Sequence, residues 1–204
     1  GCIKGQCLEF DGSDDFITIP NSTTVSDTFN DSSWLVSAWF KPNIGGSGGN
    51  GSEILQRYSP KGFLLRVTGT TDPYFLVYIS DGTTPHSFGG GYLNIYKWNY
   101  IVAQRDNSSM SIYIDGIFKN SLAVPSSYDI SSSNPIYIGE ACCSAYNLNG
   151  MLDEISIYNS PKQSFEIQQD YYSGINRLFK KNDIALNEFN QRITELKTNL
   201  ANNE

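Results

Sequence analysis

The acidic residues and the one histidine are the first places to look for chemistry, and their spacing points away from bond-breaking. A retaining glycosidase needs two carboxyl groups about 5 Å apart across the scissile bond. On a strand that requires acids at alternate positions of one face, as in an E-x-D-x-E run, and no such run occurs. The acids in strand-like segments are Glu53, Asp153 and Glu154, and the last two are consecutive, so alternation points them to opposite faces. His86 is the single histidine and lies in a Gly- and Ser-rich stretch without a nucleophile or acid beside it. A Ser/His/Asp triad therefore has no basis, and the chain is expected to be noncatalytic.

The four cysteines form two close pairs. Cys2 and Cys7 flank IKGQ, a stretch short enough to close a hairpin and bring their Cα atoms within bridging distance. Cys142 and Cys143 are adjacent, and either form a vicinal bond or send one thiol to another partner. No C-x-x-C spacing or histidine cluster suggests zinc. Bridges imply oxidising, extracellular surroundings; four free thiols in a reducing compartment are the competing reading.

Carbohydrate recognition would use aromatic platforms flanked by amide and carboxylate groups. Trp39, Phe88, Tyr92 and Tyr96 are candidates, with His86 and Asn94 in the same neighbourhood. For each aromatic, core burial competes with ligand contact, and Trp98 reads as structural.

These side chains must be carried by strands. From Cys7 to Tyr158, short apolar or alternating runs are separated by turn residues, the pattern of an all-β sandwich or barrel. Strands are expected at 7–10, 16–19, 34–40, 53–58, 63–67, 74–80, 99–104, 110–114, 117–122, 136–138 and 152–158. Asp115-Gly116 supplies the positive-φ pair of a two-residue hairpin, and Asp81-Gly82 marks a similar turn. Residues 44–52, IGGSGGNGS, read as a flexible surface loop. In SWLVSAWFKP, Trp34, Val36, Ala38 and Phe40 face one way and Leu35, Ser37 and Trp39 the other, so both faces are apolar enough to be covered.

After Tyr158 the pattern turns helical. Ser160, Pro161 and Gln163 read as an N-cap, a first-turn proline and a capping-box partner, with Gly174 as the stop. The chain then divides into a unit of residues 1–174 and an amphipathic C-terminal helix of residues 175–204. Phe179, Leu186, Ile193 and Leu200 recur every seven residues, Phe189 and Leu196 occupy offset positions with Ile175, and Asn182 is the polar exception. This stripe either packs back on the sandwich or forms a coiled-coil contact with another chain.

Composition narrows the classes further. The 204 residues carry 14 Lys plus Arg against 21 Asp plus Glu, a net charge of −7, and offer no basic footprint for nucleic acid. No segment approaches the ~20 apolar residues of a membrane span. The start at Gly1-Cys2 is compatible with a processed product, an excised domain or a fragment. Sequons at Asn21, Asn30, Asn50 and Asn107 fall in expected turns, and chance accounts for them in so Asn- and Ser-rich a chain.

Three segments, CLEFDGSDDFITIP at 7–20, WNYIVAQRDNSSMSIYIDG at 98–116 and NGMLDEISIYNSPKQSFEIQQDYYSG at 149–174, resemble the laminin-G-like, concanavalin-like lectin and glucanase superfamily. The resemblance implies an all-β, antiparallel jelly-roll sandwich with a C-terminal helical appendage. Such sandwiches host lectins, adhesion modules and hydrolases. Many relatives hold one calcium where the FDG turn meets the last strand, and by motif those positions are Asp11, the backbone of Gly12, and Asp153. Alternation in DEISIY puts Asp153 on the face of Ile155 and Ile157, so its carboxylate needs a partner. A cation would be one; backbone N–H groups at Asp153 and a self-capped turn at Asp11 are the alternative. The tail resembles those of some bacterial surface and pilin-like proteins.

The expectation is an extracellular or cell-surface binding or adhesion module for a glycan or protein partner, with self-assembly through the helix or the sandwich. A structural subunit of a pilus-like filament is the alternative. A glycoside hydrolase is a minor third.

Overall fold

The computed structural model describes residues 1–30, 33–43, 51–69, 71–140 and 146–201. In chain order the elements are β1 (Leu8–Asp11), β2 (Ile17–Ile19), α1 (Thr23–Asn30), β3 (Ser33–Pro42), β4 (Ser52–Tyr58), β5 (Lys61–Thr68), β6 (Tyr74–Asp81), β7 (Pro85–Tyr92), β8 (Asn99–Asp106), β9 (Ser109–Ile114), β10 (Ile117–Ala123), β11 (Ile136–Ile138), β12 (Asn149–Tyr158), α2 (Ser164–Lys180) and α3 (Leu186–Ala201). The strands form two antiparallel sheets, one in the order β1-β12-β3-β8-β9-β10 and the other β2-β11-β4-β5-β6-β7.

The period-2 pattern of β3 explains how the layers stack. Trp34, Val36, Ala38 and Phe40 meet Phe63, Leu65 and Val67 of β5 and Phe75, Val77 and Ile79 of β6 in the core between the sheets. Leu35 and Trp39 point the other way into a second core, closed by Ile167, Tyr171, Ile175 and Leu178 of α2 and Leu196 of α3. The two-sided apolar run is thus covered by a sheet on one side and helices on the other.

Two elements go beyond the sequence reading. β7 is not among the expected strands, and its three glycines are packing residues. A Cβ on Gly89 would stand 2.2 Å from the Tyr74 ring and one on Gly90 2.3 Å from Ile112. Helix α1 offers only Val25 and Phe29 as apolar signal, yet Ser22 Oγ caps it by accepting from Val25 N, and Phe29 enters the core.

The C-terminal region also differs. The α2 cap is Gln163, in a reciprocal box with Glu166, so the helix starts after the expected Ser160 and Pro161. It runs through Gly174, which is buried under Trp39, and the boundary drawn between residues 174 and 175 falls inside a continuous helix. The chain stops being helical at Asn182, whose φ of 60° ends α2 with Asp183 N donating to Leu178 O. Asn182, the exception in the heptad pattern, is therefore the break between two helices. Residues 44–50, expected as loop, and Cys142 and Cys143 lie outside the described residues.

Candidate functional site

The helices cover the outer face of the first sheet; among the described residues no helix packs on the outer face of the second. Register fixes what that face presents. With Phe63, Leu65, Phe75, Val77 and Ile79 turned inward, their strand neighbours Leu64, Tyr74, Leu76 and Tyr78 must point outward. Tyr58 pairs with Gly62, Tyr137 with Gln56, and Tyr92 with Tyr74, which places Tyr58, Tyr137 and Tyr92 on the same face.

Five tyrosines thus share one sheet surface, and four of their rings are held in two pairs. Tyr58 and Tyr78 meet edge to face at 5.3 Å, their hydroxyls 3.3 Å apart. That hydrogen bond, ahead of burial, pushes the Tyr78 phenol up to about 12. Tyr74 and Tyr92 meet at 5.0 Å, also edge to face. Neighbouring polar groups are fixed too: Arg66 Nε and Nη2 both donate to Glu53 Oε1, and the guanidinium lies 4.6 Å from the Tyr146 ring centre. Burial raises the Glu53 carboxyl while Arg66 opposes that shift. The result is a preorganised surface of partly exposed phenol faces with a guanidinium at its margin.

The sequence candidates scatter around this surface. Tyr92 lies on it and is 70% exposed. Trp39 is on the opposite sheet, stacked between Tyr100 and Tyr171 beneath α2 and closed to ligand. Phe88 is in the inter-sheet core. His86 pairs with inward-facing Ile79 at the sheet margin and meets the Tyr128 ring at 5.3 Å. Asn94 and Tyr96 are in the β7–β8 connection, where Asn94 N donates to Asn99 Oδ1 and Tyr96 N to Pro42 O. Trp98 is buried as expected, its indole N–H donating to Gly1 O. Tyr58, Tyr74, Tyr78 and Tyr137 were passed over as strand residues, although alternation places Tyr74, Leu76 and Tyr78 on one face.

The calcium trio is not brought together. Asp11 pairs with Asn149 and Leu8 with Leu152, so Asp153 lies opposite the position of Cys7, four residues from Asp11 and roughly 13 Å along the strand. A bulge between Asp153 and Ser156, with Glu154 at φ 48°, also turns Asp153 away from the face of Ile155 and Ile157. Its Oδ2 accepts from Lys4 N and its Oδ1 from Glu154 N; Asp11 Oδ1 accepts from Ser13 N. Asp11, Gly12 and Asp153 do not fit one ion, and among the described residues no group of three or more His, Cys, Asp or Glu side chains is arranged to hold one.

Cys2 and Cys7 are bridged, with Cα atoms 5.5 Å apart. The closed loop presents Ile3 to the core under the helices, while Lys181 Nζ donates to Cys2 O and Ile3 O. Of the stripe assigned to assembly, Leu196 is buried on the molecule's own sheet and Phe179 stacks on Phe189 at 4.8 Å; Ile193 is half-buried, Leu186 is exposed, and the Leu200 side chain lies outside the described residues. No described helix is long and apolar enough to cross a membrane.

No curated protein sequence matches the chain. Among solved structures, it resembles the binding domain of Paraclostridial Mosquitocidal Protein 1 at TM-score 0.68 and 14% identity, over 82% of this chain and 43% of that one. It resembles the binding domain of botulinum neurotoxin DC in complex with rat synaptotagmin II at 0.66 and 14%, over 83% and 45%. A pentraxin of Limulus polyphemus aligns at 0.58 and 11%, over 78% of each chain. The chain thus spans less than half the length of the toxin binding domains. A family model described as the concanavalin A-like lectin/glucanases superfamily matches residues 11–168, and with two stacked antiparallel sheets in place the chain belongs to that superfamily.

Proposed function

We propose that this chain is a noncatalytic extracellular recognition module that engages a glycan or a protein partner through the tyrosine-bearing outer face of the second sheet. The observation that carries this reading is the asymmetry of the sandwich. One outer face is sealed by α2 and α3, while the other presents Tyr58, Tyr74, Tyr78, Tyr92 and Tyr137 together. Tyrosine gives large contact area at low entropic expense and can hydrogen-bond at its tip, and it is enriched at binding surfaces.

The fold neighbours are consistent with recognition. The botulinum DC domain is found with synaptotagmin II, and botulinum neurotoxin type C interacts with two ganglioside molecules. The strand carboxylate on this face, Glu53, is neutralised by Arg66, which suits a fixed surface better than proton transfer. A glycan array and a protein pull-down, each run with wild type and with a Tyr78→Ala/Tyr137→Ala double variant, test the proposal. Binding that the double variant loses while keeping its fold supports it. Binding that the variant retains, or no binding in either format, overturns it.

A further inference from the structure

The fold gives its inward-lying guanidinium groups an acid, with one exception among the described residues. Arg192 Nη2 lies 3.0 Å from Glu188 Oε1, Arg105 sits in the field of Asp129, and even Arg66, with a quarter of its side chain exposed, is paired with Glu53. Arg57 is the exception. It follows the β4 alternation inward, opposite Phe63, and is 0% exposed. All of its described partners are neutral: Nε donates to Asn134 O at 3.2 Å, and Nη2 donates to Asn21 Oδ1 at 3.0 Å, to Ser26 Oγ at 3.2 Å and to Ser132 O. Nη1 is sealed from solvent with them and has no acceptor among the described residues.

Neutral acceptors satisfy hydrogen bonds but leave the charge. A buried ion without a counter-charge is strongly unfavourable, and arginine does not escape by losing its proton, so an anion must supply the balance. Burial lowers the Arg57 pKa with nothing to oppose it, whereas Asp129 opposes the same shift at Arg105. The surroundings select the kind of anion. Carboxylates and phosphates are gripped by a fork of two nitrogens, and here Nη2 is already committed, which leaves the two N–H bonds of Nη1 alone. Polyatomic anions would also bring further acceptor atoms into a sealed place where each needs its own donor. A monatomic ion needs no such set, and the Phe29 ring, 5.7 Å from the guanidinium carbon, gives it apolar walls. A water molecule would accept from Nη1 but would carry no charge.

We infer that Arg57 Nη1 holds a single monatomic anion, chloride, where β4 meets α1 and the segment before β11. The cover over this place is thin: Asn21 is exposed, and Ser26, Ser132 and Asn134 are half-buried. Local opening of α1, a helix of only eight residues, therefore admits the ion. The site is independent of the tyrosine face, because Arg57 and Tyr58 alternate to opposite sides of the sheet. The test is thermal unfolding of the full chain as sodium chloride replaces sodium gluconate at constant ionic strength, which keeps screening the same. The midpoint is expected to rise saturably by several degrees, since an ion bound only by the native state stabilises it by mass action. Bromide should substitute and give an anomalous-scattering peak beside Nη1 in crystals. Arg57→Met, where it folds, should lose the dependence, and Tyr78→Ala should keep it. Equal midpoints in chloride and gluconate, a dependence that survives in folded Arg57→Met, or crystals in bromide without a peak at Nη1 would overturn the inference and leave water as the acceptor.

Discussion

Gly174 of α2 lies against the indole of Trp39 so closely that a Cβ at this position would stand 2.1 Å from Trp39 Cζ2. A glycine inside a helix ordinarily loses about 1 kcal/mol relative to alanine. Here the contact reverses that preference, because Trp39 is itself wedged between Tyr100 and Tyr171 and cannot retreat.

Gly174→Ala is therefore expected to destabilise the chain by about 1–3 kcal/mol despite its better helix propensity. Urea unfolding followed by tryptophan fluorescence measures this. A midpoint that rises would mean α2 shifts freely on the sheet, and the description of Trp39 as sealed would be wrong.

The same residue marks the limit of what sequence could tell. The sandwich was legible because burial on one face writes a period of two, and most strands fall within a few residues of their expected places. Where a backbone departs from ideal geometry the pattern misleads. The bulge at Glu154 shifts Asp153 to the other face, and Gly174 and the β7 glycines carry close packing that reads as punctuation. The tyrosine face escaped for a different reason: its members come from β4, β6, β7 and β11, and only the strand order brings them together.

Asp115 makes stability depend on pH. Burial beneath α3 pushes its carboxyl up to about 6, with Arg192 and the Tyr100 N–H pulling it down. In the unfolded chain the value is near 3.9. The native state therefore holds the proton to higher pH, so stability attached to this group is full below about pH 4 and is lost as pH rises through 6. Two pKa units correspond to about 3 kcal/mol. Asp115→Asn keeps the acceptor for Tyr100 N and tolerates φ 54°, and it should flatten the slope of unfolding free energy between pH 4 and 6. An unchanged slope would show that the carboxylate is solvated.

Arg57 is fully buried, with no carboxylate partner among the described residues. Its guanidinium donates to Asn21 Oδ1, Ser26 Oγ, Ser132 O and Asn134 O, stitching α1 and the segment before β11 to β4. Desolvation lowers its pKa accordingly. Arg57→Met keeps the volume but leaves those acceptors without their donor, a loss of about 2 kcal/mol. Hydrogen exchange should accelerate selectively in α1. Uniform acceleration across the sheets would mean the arginine supports the core as a whole.

The Cys2–Cys7 bridge closes the loop that seats Ile3 under the helices. For a loop of this length the chain-entropy argument gives about 2 kcal/mol. Cys2→Ser/Cys7→Ser should lower the thermal midpoint by several degrees. A midpoint equal to that of the wild-type chain would mean that Ile3 is seated without the bridge.

Finally, α3 is bound to the sandwich by more than apolar contact. Arg192 is buried, donates to Trp98 O and to Glu188, and lies 4.0 Å from Asp115, while Leu196 rests on Gly116 at the β9–β10 turn. Helix α3 so tethered is part of the fold, not a free arm. A chain ending at residue 185 should lose several kcal/mol through exposure of Trp98, Ile117 and Tyr171, with the tryptophan emission shifted to the red. Sedimentation of both chains under native conditions gives the alternative its chance. If the shortened chain keeps its stability and only its oligomeric state changes, the helix serves assembly, and the contacts of Arg192 and Leu196 contribute little.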